Sequence, residues 1–378
     1  PPLLVFAAES RDPAWRSSFE VLQKRLAGHL GQLKSTEHEL ADGEVPGKAS
    51  NVNHAAREVY RQLVIEQGLD PFEVVLTILD ADAMLSPSYL AHVEASFRAQ
   101  PDGRRLVYNA PLNVYRNFAQ AGALVQCLEL TRCHQDVYFN MFSVPSVYYN
   151  YSLTLGFAAE LGFWTPDSLA EDTRMVNKAM VHNFGSKTTV AIPAFICNNL
   201  VAHAPERYHQ AKRHQWNSVT EFAWLLTLIS DLGLHFPAWW AVFCEEAMRK
   251  GSLISTINLT VALTVKVVVG VAVLREWAVV PLTLRFLLGS FLIAQYAWFW
   301  IAELVLWRTH LRQFPIERPS GARWLLLIIL MPLASVINRL LFVVLPTLDA
   351  LCHVACRGDL EYHATRRRQY LALVGSEL

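Results

Sequence analysis

Apolar residues fall in short runs through the first two hundred positions and in long, sparsely charged stretches beyond residue 252. Leu3 to Ala8 is one short run, ended by Glu9. Val74 to Leu79 is another, apolar except for Thr77, and Leu106 to Ala110 is a third. Runs of this length with Val and Ile suit strands buried on both faces. Between them, Asp12 to Ala27 reads as a helix with Pro13 in its first turn, and Ser88 to Arg98 as a second helix. Residues 28 to 73 read as a loop and a further helix. Alternating strands and helices predict an α/β domain with a mostly parallel, Rossmann-like sheet.

The later stretches are of another kind. Ser255 to Leu274 carries one charge, Lys266, and Phe286 to Ala302 carries none. Each is long enough for a bilayer core of ~30 Å. Trp324 to Leu348 is broken by Pro332, Asn338-Arg339 and Pro346, which suits a kinked span or a hairpin. Ahead of them, Trp239, Trp240 and Phe243 beside Arg249 and Lys250 suit an amphipathic helix at a membrane interface. Arg308, Arg312, Arg318 and Arg323 lie in one short loop and favour the cytoplasmic side. The expectation is an integral, multi-pass membrane protein with its catalytic domain in the cytoplasm. Its parts are a domain over 1–218, interface helices over 219–251, a transmembrane region over 252–356 and a basic tail over 357–378. The alternative is a large buried helical domain, which Lys266 and Arg339 favour.

Composition changes this picture little. The chain has no net charge and no basic stripe interleaved with aromatics, so nucleic acid is not an expected partner. Its six cysteines lack metal-site spacing and read as ordinary buried thiols. The short run at Leu3 does not have the form of a signal peptide.

Chemistry enters at the end of the Val74 strand, where Asp80 and Asp82 stand one residue apart. Carboxylates at the carboxyl end of such a strand lie where open α/β sheets bind ligands. With matching side-chain parity, both reach towards one divalent cation and its phosphates. The alternative is a strand cap leading into the helix at Pro87. A second acidic pair, Glu171 and Asp172, opens a helix-like run, where the helix dipole favours a charged carboxylate fit to act as a general base. A simple helix-start pair remains open as the other reading. Gln210, Arg213 and Trp216 recur every third residue, so one helical face presents an amide, a guanidinium and an indole. They suit a diphosphate and a stacked sugar or base, or else a solvated basic helix.

Taken in order, Gly47-Lys48-Ala49-Ser50-Asn51-Val52-Asn53, Asp80-Ala81-Asp82, Glu171-Asp172 and Gln210 to Trp216 resemble the signature set of membrane-bound family-2 glycosyltransferases, which include cellulose, chitin and hyaluronan synthases and ceramide glucosyltransferase. The resemblance covers roughly residues 1 to 230. It implies a GT-A nucleotide-sugar-binding fold and an inverting transfer from a UDP-sugar to a lipid or polysaccharide acceptor. Lys48 and Asn53 match a loop near the nucleotide diphosphate. Asp80 and Asp82 match the metal-binding pair for Mn²⁺ or Mg²⁺, with Asp82 the direct ligand. Asp172 matches the catalytic base, with Glu171 beside it, and Gln210, Arg213 and Trp216 match the acceptor and diphosphate element.

Two departures stand out. His214 and Gln215 separate Arg213 from Trp216, where the family places the tryptophan directly after the arginine. The first strand, which carries a uridine-binding Asp in the family, is also expected to be missing before Leu3. These departures sustain a rival reading, an inactive pseudo-glycosyltransferase that binds or scaffolds. A phosphatase with Asp80 as nucleophile is a third, set aside because no hydroxyl residue follows within Ala83-Met84-Leu85.

Overall fold

The computed structural model describes residues 2–28, 31–110, 112–127, 129, 150–184, 188–201, 203–233, 239–240, 242, 281–287, 320–327 and 340–356, with single positions between 290 and 337. The chain runs β1 (Leu3–Glu9), α1 (Trp15–Leu26), β2 (Gln32–His38) and α2 (Lys48–Tyr60), the last followed by a π-helical turn. Next come β3 (Val75–Ile78), β4 (Met84–Leu85), α3 (Tyr89–Ala99), β5 (Val107–Asn109) and β6 (Leu112–Tyr115). They are followed by β7 (Tyr151–Thr154), α4 (Leu155–Glu160), α5 (Glu171–His182), β8 (Thr189–Ala191), β9 (Ile196–Asn198), α6 (Ala204–Asp231) and α7 (Leu345–Ala355).

The expected strands at Leu3, Val74 and Leu106 are present, but the sheet that holds the latter two is mixed rather than mostly parallel and does not include the first. Its order is β3-β7-β5-β8. β7 runs antiparallel to both β3 and β5, while β8 lies parallel to β5. The correction has a physical source: β7 is inserted between two strands that both precede it, a long-range pairing that no local pattern announces. A two-stranded parallel sheet, β1-β2, and a three-stranded one, β4-β9-β6, complete the strands described. β2 falls in the expected loop because its Gln-Leu-Lys-Ser-Thr-Glu-His sequence is polar.

The central sheet separates two apolar layers. Val107 faces one with Tyr151 and Leu153, while Tyr108 faces the other with Tyr89 and Phe118. Strand alternation requires this split. On the second face Ser152 meets Thr77 Oγ1 at 2.9 Å and the Tyr89 hydroxyl at 3.2 Å, so its buried hydroxyl is satisfied. Leu76 and Ile78 face the layer supplied by α2, α5 and α6. Asp80 continues that parity.

Among the described residues no helix is long and apolar enough to cross a membrane. This overturns the expected multi-pass membrane protein. Residues 255–274 lie outside the described residues, as do most of 286–302 and all of the tail 357–378. Where the third apolar stretch is described, it is buried in part, Leu327 and Phe342 lying in the interior while Leu325, Leu326 and Leu348 are exposed. It leads into α7, which packs on α6 with Asp349 Oδ1 2.9 Å from Lys212 Nζ and Asp349 Oδ2 accepting from the Tyr208 hydroxyl at 3.3 Å. Arg323 donates to the Ala121 carbonyl at 2.7 Å. Of the expected interface segment, Val242 is fully buried in the core and Trp239 packs against it. α6 itself runs without a break through residue 218. Cys127 and Cys197 are the expected buried thiols, whereas Cys352 and Cys356 are exposed on and just after α7, a helix with one open face.

Candidate active site

Four segments distant in sequence meet beyond the end of β3. Asp80 stands two residues past β3, where the chain turns and the Ala83 amide donates to the Asp80 carbonyl at 3.0 Å. Lys48 is the first residue of α2 and follows Gly47, whose φ of +142° is a conformation side-chain-bearing residues rarely adopt. The loop before it is anchored by the Val45 amide on the Pro166 carbonyl, 2.9 Å, and by the Ser50 hydroxyl on Val45 and Gly47 carbonyls. The loop leading into α2 is thereby tied to the loop leading into α5, which opens with Glu171 and Asp172.

Lys48 Nζ lies 2.7 Å from Asp80 Oδ1 and 2.9 Å from Glu171 Oε1. Burial lowers the affinity of this amine for its proton, but the two carboxylates outweigh it, and Lys48 is held above the ordinary lysine range. Glu171 is pushed up to about 7, chiefly by burial, with the charges of Asp172 and Asp80 adding to the attraction for a proton that Lys48 opposes. Tyr151 is raised well above its usual value by burial and by these same carboxylates, and its oxygen accepts from Trp164 Nε1 at 2.7 Å. Lys48, Asp80, Glu171, Asp172 and Tyr151 therefore share one electrostatic neighbourhood. Asp172 Oδ1 accepts from the Thr173 amide at 2.6 Å.

Asp82 is held from another direction, its Oδ2 accepting from the Asn199 amide at 2.9 Å. Asp80 also meets two buried amides, Asn150 and Asn198. None of these three asparagines stands out in the sequence, where Asn reads as a turn former.

The remaining expected residues are placed elsewhere. Asn53 lies inside α2 rather than in a loop, and its Oδ1 accepts from Arg57 Nε at 3.1 Å. Arg57 in turn stacks over Phe163. Gln210 accepts from Arg207 Nη1 at 2.9 Å, next to the buried Arg207–Glu129 pair. Arg213 and Trp216 are half-buried on the same helix. Trp216 Nε1 has no hydrogen-bond partner among the described residues. Its neighbour Asn217 donates to the Leu169 carbonyl at 3.4 Å, which brings this part of α6 to the segment just before Glu171.

As donors, Asp80 and Asp82 are hard oxygens of the type that Mg²⁺ and Mn²⁺ accept. Among the described residues no group of three or more His, Cys, Asp or Glu side chains is arranged to hold a metal ion by itself. A carboxylate pair suits a cation that completes its shell with water and phosphate oxygens. A separate cleft of about 480 Å³, lined by Phe19, Lys34, Arg61 and Gln62 among others, shares no residue with the acidic cluster.

No protein-family model matches the chain, and no curated protein matches it. Among solved structures it is similar to the mannosyltransferase PcManGT from Pyrobaculum calidifontis, in complex with GDP-Man and Mn²⁺. The identity is 12%, the TM-score 0.38, and the match covers 70% of each chain.

Proposed function

We propose that the chain is a metal-dependent glycosyltransferase that moves a sugar from a nucleotide-sugar, UDP-linked, to a hydroxyl of a lipid or glycan acceptor with inversion. The observation that carries this reading is the meeting of Lys48, Asp80 and Glu171 through two ion pairs, since these residues come from three of the motifs that together resemble family-2 transferases. Unrelated surface acids have no reason to converge in a buried cluster with one shared lysine.

In this reading Asp82 and Asp80 hold Mn²⁺ or Mg²⁺, which when bound offsets the charge of the departing diphosphate. Asp172 takes the proton of the acceptor hydroxyl as it attacks the anomeric carbon from the face opposite the diphosphate. Asp172 is the residue that the family resemblance puts in the base role, and Glu171 beside it pairs with Lys48 before the donor arrives. Lys48 exchanges its carboxylate contacts for diphosphate oxygens when the donor arrives. Arg213 and Trp216 keep in this reading the acceptor and diphosphate role that the family resemblance implies.

The test is release of UDP from a panel of UDP-sugars in the presence of Mn²⁺, with and without glycan or glycolipid acceptors. Asp172→Asn is expected to lower turnover at least about 10²-fold, the low end of what a general base contributes, while UDP still binds. Binding of UDP with no turnover of any donor would shift the reading to an inactive binding protein.

A further inference from the structure

We propose that Asn117, Asn150, Asn198 and Asn199 form a neutral amide shelf that sets the orientation of Asp80 and Asp82, with Asn150 and Asn198 as positioning residues of the metal–diphosphate site. The inference rests on the reading of the acid pair given above.

The topology delivers these residues. β4 follows the Asp80–Ala83 turn and pairs antiparallel with β9, Met84 opposite Cys197 and Leu85 opposite Ile196. Residues that follow Cys197 must therefore run back alongside those that precede Met84. That places Asn198 and Asn199 beside the acid pair.

The contacts close a ring. Asn150 Oδ1 accepts from the Asp80 amide at 2.6 Å, Asn150 Nδ2 donates to Asn198 Oδ1 at 3.2 Å, and Asn198 Nδ2 faces Asp80 Oδ2 at 3.5 Å. With Lys48 on Oδ1, both oxygens of Asp80 are directed. The Asn199 backbone N–H, not its side chain, directs Asp82. Asn117 secures the end of this strand, donating to the Leu200 carbonyl at 2.8 Å and accepting from the Leu200 amide at 2.7 Å.

The choice of amides is informative. Asn150 and Asn198 are essentially inaccessible to water, and burying an amide is costly unless its polar atoms are bonded. Lys48 already offsets part of the charge of Asp80 and Glu171, and a further cationic donor would cancel charge that a metal site needs. An amide orients a carboxylate and leaves its charge in place. This is the part that outer partners play around metal-ligating carboxylates, and their removal typically weakens metal affinity by about 10–100-fold.

The experiment is Mn²⁺ titration followed by electron paramagnetic resonance at saturating UDP, with UDP binding in the absence of metal as the control. Asn198→Ala and Asn150→Ala are each expected to weaken Mn²⁺ binding about tenfold or more. UDP binding without metal should be unchanged. If both bind Mn²⁺ as tightly as the unchanged protein while Asp82→Asn does not, the shelf is overturned and the acid-pair reading stands. If Asp82→Asn also binds normally, or the unchanged protein binds no Mn²⁺, the acid-pair reading fails. Equal losses of Mn²⁺ and metal-free UDP binding in the asparagine variants would mark a general structural role and overturn the proposal. Should Asn198→Ala not fold, Asn198→Thr keeps the volume, loses the reach to Asp80 and gives the same readout.

Discussion

Lys48 Nζ lies 2.9 Å from Glu171 Oε1, an ion pair that joins the first turns of two helices, α2 and α5. The placement is unequal for the two partners. A helix start suits the glutamate and disfavours the lysine. Lys48 is held there by a second carboxylate, Asp80, at 2.7 Å.

Removing that lysine leaves two partly buried carboxylates facing each other. Lys48→Met is expected to destabilise the fold by about 2 kcal/mol, below the range for a fully buried pair because Lys48 and Asp80 keep some exposure. Adding Glu171→Gln should recover part of that loss at alkaline pH, where the Glu171 carboxyl is ionised and the repulsion goes with its charge. Urea unfolding of the two single variants and the double variant checks this; a double variant less stable than Lys48→Met would contradict it.

The same site predicts a pH dependence. The folded Glu171 carboxyl holds its proton up to about pH 7, against an ordinary value of 4.5. Across that window the folded state binds more protons than the unfolded chain, so the contribution of this group declines as pH rises from 4.5 through 7. Thermal melts from pH 5 to pH 8 should show the unchanged protein losing more stability than Glu171→Gln. Parallel curves for the two proteins would rule the effect out.

Further along α5, Arg174 is clasped by Glu221 of α6, with Nη2 2.7 Å from Oε1 and Nε 2.9 Å from Oε2, and stacks over Trp224. Glu221→Ala strands a buried guanidinium and is expected to cost about 3 kcal/mol, with Asp167 still matching part of its charge. Replacing both partners by Met should cost far less, because apolar groups need no counter-charge. Chemical denaturation of both variants tests the contrast.

Gly47 supplies a backbone test. At φ +142° a side chain is strained whatever space surrounds it, so Gly47→Ala should lower stability by about 1–3 kcal/mol. A neutral result in equilibrium unfolding would mean that the loop adopts another path into α2.

The acid pair, the strand before it and the acidic start of α5 are legible in the sequence because each depends on local pattern. Val75 to Ile78 is apolar enough to be recognised alone, and Glu171-Asp172 marks a helix start by type. What escapes is relational. β7 reads as nothing in particular until it is seen between β3 and β5. Asn150 and Asn198 acquire meaning only from the ring they make with Asp80. The apolar stretch after Trp324 misleads for a related reason: hydropathy records a preference for burial, and among its described residues only some meet it, Leu327, Phe342 and Pro346 being buried while Leu325, Leu326, Leu345 and Leu348 are exposed. Lys48 and Asn53, read as one loop, separate once α2 forms, one at the helix start facing the acids and the other turned along the helix to Arg57.

The position of β7 also sets an order of events in synthesis. β3 has no strand partner among the described residues except β7, and β5 none that precedes it. A chain leaving the ribosome therefore carries two apolar strands with open edges until residue 154 has emerged. Pairings over such separations form slowly, and exposed strand edges favour association with other chains in the interval. Fragments that stop short of β7 should accumulate in inclusion bodies, whatever the quality of their local sequence.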